Sequence, residues 1–149
     1  MLSKKTLINN GHLHNLNYSL YRTGEQVEFF IGNIYLGNTL ASDIITPLNL
    51  SIDNTNINNP ATLNILRLLQ TLDSDGDPDN GITISETTHN AALSEAALLI
   101  DVTASIEEFE TNSTLNALIA AQTNLSSLIS SEQAVEHFEQ SLALLSRQQ

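Results

Sequence analysis

The spacing of apolar residues changes once along this chain, near residues 51–60, and that change limits the fold more than any other feature. Before it the period is two. Leu16, Tyr18 and Leu20 alternate with polar neighbours, as do Val27, Phe29 and Ile31, and Ile34 and Leu36 resume the pattern after Gly32-Asn33. Gly-Asn is a hairpin signal, because both residues tolerate positive φ. Gly37-Asn38 predicts another turn. Ile44–Leu50 reads as a last extended piece, confined to a sheet edge because Pro47 cannot donate to a ladder.

Residues 51–60 are a polar, Asn-rich connector that ends in a helix start, since Asn59 can cap and Pro60 is preset for a first turn. From Ala61 the period is helical, with Ile65, Leu66, Leu69 and Leu72 on one face. Ile82-Thr83-Ile84 precedes Ser85, which opens another helix. Ser105 with Glu108 and Ser130 with Gln133 have capping-box spacing, so helices are expected near 105–110, 113–122 and 131–146. The last carries an apolar stripe of Ala134, Val135, Phe138, Leu142 and Leu145. The expected class is α+β. A small N-terminal antiparallel sheet (1–50) leads through the connector to four or five short helices (61–149), all in one compact unit.

Between two of those helices lies an acidic run. Asp73, Asp75, Asp77 and Asp79 occupy every second position, and Glu86 follows. Five carboxylates this close form ten repelling pairs, each costing roughly 0.4–0.7 kcal/mol in water before screening. A bound cation reverses that sign, and hard divalent ions, calcium above all, take such oxygen arrays. An EF-hand-like loop over 73–86 is therefore expected. Starting at Asp75, the ligand positions fall on Asp75, Asp77 and Asp79, with Asn80 at the turn, Gly81 as a carbonyl ligand, Ile82 at the aliphatic position and Glu86 last. Starting at Asp73, they fall on Asp73, Asp75 and Asp77, but proline takes the turn position and Glu86 comes two residues late. Proline cannot adopt positive φ, which favours the Asp75 start. Asp73 is then an extra ligand or a solvent-facing residue at the helix end. A single loop without a Met-rich helix face suits a structural site better than a calcium switch.

Composition narrows the function. Seventeen acidic residues against five basic ones give a net charge of −12, which disfavours nucleic-acid binding through phosphate neutralisation. Cysteine is absent, which excludes disulfides and thiolate chemistry. No segment approaches the roughly 20 apolar residues of a membrane span. The start shows no signal peptide, so the expectation is cytoplasmic if Met1 is the true beginning.

Catalytic constellations are weak. His12 and His14 alternate as zinc ligands on a strand would, but without a placed third ligand. His89 follows the acidic loop, where it either supports the loop or faces solvent. His137 beside Phe138 reads as a half-buried packing residue. Glu107, Glu108 and Glu110 read as the acidic start of a helix, where the dipole favours them. No nucleophile elbow or phosphate-binding glycine loop occurs, so no enzyme is expected.

The stretch Asn64–Ile84, with its Ile-Leu-Arg-Leu-Leu-Gln-Thr-Leu-Asp-Ser-Asp-Gly-Asp-Pro-Asp-Asn-Gly core, resembles the signature of a poorly characterised module in bacterial exported proteins, often lipoproteins or large surface proteins. Val27–Gly37 and Ile45–Leu50 resemble the strand and connector before it, and Leu128–Phe138 its final helix, so the resemblance spans roughly residues 16–145. It implies an envelope or extracellular setting and a non-catalytic role in surface architecture or adhesion, with a protein or surface partner besides calcium. The alternative expectation is an intracellular acidic binding protein of inhibitor or immunity type, with a basic partner.

Overall fold

A computed structural model describes residues 7–9, 12–14, 24–42, 45–51, 56–77 and 82–147. The expected strand at Leu16–Leu20 lies outside them. Two antiparallel hairpins come first. Strand β1 (Leu7–Asn9) pairs with β2 (His12–His14), and β3 (Gln26–Ile31) pairs with β4 (Ile34–Leu40). Helices follow: α1 (Pro47–Leu50), α2 (Pro60–Thr71), α3 (Glu86–Ala91), a 3-10 helix (Glu95–Leu99), α4 (Ile106–Glu110), α5 (Ser113–Gln122) and α6 (Ser131–Arg147). The fold is α+β, strands first and helices after, with two short helical pieces beyond those expected.

The β3–β4 hairpin follows from its alternation. Val27, Phe29 and Ile31 point inward and are buried, and Gly32-Asn33 makes the turn. The register runs Phe29↔Gly37 and then Phe30↔Tyr35, so Leu36 is bulged out of the ladder. Gly37-Asn38 is therefore not a turn; it continues β4. Glycine is needed at 37 because its φ is 137° and a Cβ there would meet Leu50 O at 2.4 Å.

Ile44–Leu50 is also corrected: Pro47–Leu50 is helical, not extended. Pro47 takes the first helical position, where its missing N–H costs nothing. Asn49 Oδ1 accepts from Thr46 N at 2.7 Å and from Thr46 Oγ1 at 3.0 Å, closing the turn. The other starts fall where the caps place them. Asn59 Oδ1 accepts from Ala61 N, Ser85 Oγ from Thr88 N, and Ser105 and Glu108 bond reciprocally.

Helix α2 is the axis of the fold. Every residue from Thr62 to Thr71 is buried. One face (Ile65, Leu68, Leu69, Leu72) enters the main core with β3, β4, Phe109, Leu115 and Ile119. The opposite face puts Leu66 against Ala134 and Phe138 of α6, with Leu142 half-buried alongside. Each fully buried leucine contributes roughly 2 kcal/mol. The buried polar residues of α2 reach neighbouring segments. Asn64 Nδ2 donates to Val102 O and Ala104 O, Arg67 Nε to Ile129 O at 2.8 Å, and Gln70 Nε2 to Ala134 O at 2.9 Å. Thr71 Oγ1 accepts from Ile129 N. These bonds fix the C-terminal segments at the end of α2 where the acidic run begins.

Candidate functional site

Helix α2 stops at Thr71, and Leu72 caps it by donating its N–H to Leu68 O. The chain then leaves as a loop pinned at its base. Asp73 forms an antiparallel bridge with Ile84, and Ser74 N donates to Thr83 O at 2.8 Å. Ser85 starts α3 directly afterwards. The base is held because Leu72, Ile82 and Ile84 are all in the core. Their burial draws Asp73 in with them.

Asp73 is only 5% exposed. It is neither part of the helix end nor facing solvent, so that expectation is corrected. Its Oδ1 accepts from Thr83 N at 2.9 Å, while Oδ2 is buried with no hydrogen-bond partner. Gly76 has a φ of 69°, which lets the chain turn back so that Gly76 N donates to Asp73 O. Asp75 Oδ1 accepts from Asp77 N at 3.0 Å, and both of these aspartates are exposed. The Asp73 pKa is pushed from 3.8 up to about 6. Burial is the main cause, opposed by the Thr83 backbone hydrogen bond and reinforced by the charge of Asp75, a side-chain hydrogen bond with Asp75 and the charge of Asp77. An ionised carboxylate here needs a positive neighbour.

The structure thus brings Asp73, Asp75 and Asp77 into one electrostatic group. Glu86 is exposed at the first position of α3, where the helix dipole suits it. Asp79 and Gly81 lie outside the described residues. Among the described residues, no three acidic or histidine side chains are gathered as a metal-holding set.

Beside the loop opens a cleft of about 600 Å³. Residues 73–77 form one wall and residues 121–125 the other, with Gln70 and Thr71 of α2 and Gln133 and His137 of α6 completing it. Gln70 Oε1, like Asp73 Oδ2, is buried without a partner. Sequence reasoning missed this cleft. A signal was present, because Asn64, Arg67 and Gln70 recur every third position among the leucines and isoleucine of the helix. Polar residues so placed on a buried helix must each find a partner.

The other candidates have structural places. His89 is half-buried rather than solvent-facing, and its Nδ1 accepts from Gly32 N at 3.1 Å, holding the hairpin tip against α3. His137 is half-buried in α6, as expected. Glu108 completes the α4 capping box, and Glu110 pairs with Arg67 at 3.1 Å. His12 and His14 sit at alternate positions of β2; their side chains lie outside the description. No helix among the described residues is long and apolar enough to cross a membrane. No protein-family model, curated protein or solved structure matches the chain.

Proposed function

We propose that this chain is a non-catalytic module stabilised by calcium, with the ion held in the loop between α2 and α3. The observation that carries the reading is Asp73 Oδ2, a buried carboxylate oxygen without a partner at the base of an acidic loop. Its burial beside Asp75 and Asp77 supports a ligand set that begins at Asp73 and draws on Asp79, Gly81 and Glu86 from the rest of the loop. Bound there, the ion staples two helices whose outer ends are already fixed to the core. A structural or adhesive role at a bacterial surface is the setting that the resemblance of the Asn64–Ile84 stretch suggests.

Thermal melts with and without calcium test this. At a free calcium concentration about 100 times the dissociation constant, stability rises by about 2.7 kcal/mol. Asp73→Asn abolishes the rise, whereas no calorimetric heat and no shift at millimolar calcium would sink the reading. Asp79→Ala decides the register: if it abolishes the rise and Asp73→Asn does not, the ligands start at Asp75. The second reading, an acidic binding protein with a basic partner, draws on the charge of −12 and on the acidic wall of the cleft.

A further inference from the structure

The tip of the β3–β4 hairpin is fastened to the end of α3. Asn33 N donates to Ala92 O at 2.8 Å, and Asn33 Nδ2 donates to Leu93 O at 2.8 Å and to Ser94 O at 2.9 Å. Beside them Gly32 N donates to His89 Nδ1 at 3.1 Å. Gly32 is buried so close to Ala92 that any side chain there would strike the Ala92 backbone. Helix α3 thus runs from the base of the acidic loop at one end to this clasp at the other. One bond of the clasp differs in kind from the rest. A carbonyl oxygen accepts a hydrogen bond at any ordinary pH, but an imidazole nitrogen accepts only while it carries no proton.

The bond fixes His89 as the neutral ring with its proton on Nε2. Protonation places a hydrogen on Nδ1, so that two donors face each other and Gly32 N loses its acceptor in a buried position. Opening the tip to water relieves both. The surroundings of α3 offer little to offset this. Residues 31–34 at the hairpin tip and Ser113–Gln122 of α5 contain no ionisable side chain. Glu28 and Tyr35 farther along the hairpin strands, Glu86 at the start of α3 and Glu95 in the 3-10 helix are exposed, where water screens any charge they carry. Asp73 at the loop base is taken up by Thr83 N.

We propose that this clasp is an acid-operated latch with His89 as its pin, closed while the imidazole is neutral and released from Gly32 when the imidazole gains a proton. Asn33 alone then holds the tip, and the far end of α3 is loosened. The closed clasp takes only the neutral ring, whereas the open clasp takes either form. Closure is therefore full above about pH 6.5 and weakens by up to about tenfold for each pH unit below it. The latch does not draw on the calcium reading.

The test is imidazole NMR and amide hydrogen exchange on the full chain in EGTA, from about pH 7.5 down to about pH 5. At the upper end the ring-nitrogen shifts of His89 should show Nε2–H and an unprotonated Nδ1. Protection of the Gly32 amide, corrected for intrinsic exchange, should fall about tenfold across the range with the midpoint of the His89 titration. The amide of Leu69, in the core, should keep its protection. His89→Asn puts an amide oxygen where Nδ1 stood, an acceptor that does not titrate, and should make Gly32 protection independent of pH. His89→Leu, with no acceptor, should show at neutral pH the low protection that the wild-type chain reaches in acid.

A proton on Nδ1 at neutral pH overturns the proposal, as does Gly32 protection that stays constant across the range. If Leu69 loses protection in step with Gly32, acid unfolds the whole chain and there is no latch. A His89→Asn chain that keeps the wild-type pH dependence assigns the effect to another group and refutes the role of His89. Should that variant fail to fold, the wild-type tautomer and the comparison of Gly32 with Leu69 still decide.

Discussion

The two faces of α2 are packed by different means. Toward the hairpin, Ile65, Leu68, Leu69 and Leu72 join a broad apolar cluster that includes Phe29, Ile31 and Phe109. Toward α6 the buried apolar cluster is Leu66, Ala134 and Phe138, and hydrogen bonds donated by Arg67 and Gln70 and accepted by Thr71 add to it. The apolar face can fill space with whatever volume is offered. The hydrogen-bonded face fixes a few atoms and leaves gaps between them. The cleft opens on that second side, at the end of α2 where the helix gives way to the acidic loop.

The largest effect is expected on the first face. Leu68 is fully buried, and Leu68→Ala should cost about 3–5 kcal/mol in a denaturant melt. A much smaller loss would mean that the two faces share the load more evenly than the packing indicates. On the second face, Arg67→Met removes the bond to Ile129 O and strands nothing charged in the interior, because Glu110 is 45% exposed. It should cost about 1–3 kcal/mol, against less than about 1 kcal/mol for Glu110→Ala. If the two variants cost the same, the ion pair holds this region and the carbonyl bond is secondary.

The acidic loop sharpens the contrast through pH. Folding raises the Asp73 pKa from 3.8 to about 6, so the folded state favours the protonated acid. The associated stability is full below about pH 4 and is lost as pH rises through 6, on the order of 3 kcal/mol for a shift of this size. Melts in chelator at either end of that window should show the fall, and Asp73→Asn should flatten it. At neutral pH in chelator that variant should be the more stable protein. A wild-type chain that gains stability across the window would remove Asp73 as a buried, strained acid.

Much of the fold is legible because its signals are local. The Gly32-Asn33 hairpin, the caps at Asn59, Ser85 and Ser105, and the bounds of α5 and α6 depend on residues within a turn of one another. Of the readings that differ from the structure, those at Gly37 and His89 turn on partners beyond the local window, whereas Ile44–Leu50 turns on a contact within one turn. Gly37-Asn38 has turn chemistry, yet it lies in a strand because Leu50 O packs against Gly37 and leaves no room for a side chain. Ile44–Leu50 has strand-like residues, yet Asn49 folds back on Thr46 and closes a helical turn. His89 follows the acidic run in sequence, but its hydrogen-bond partner is Gly32, 57 residues away.

The candidate site divides in the same way. By itself the sequence determined the acidic run, because charge density, turn residues and flanking helix signals are all local. It also determined the α+β order of the elements, through the change of apolar period. Only the tertiary structure decided that Asp73 is buried, since that depends on Leu72, Ile82 and Ile84 reaching the core together. Only it decided that the end of α5 and the side of α6 face the loop across a cleft. Burial and long-range juxtaposition are set by how the whole chain packs, and no window of neighbouring residues contains them.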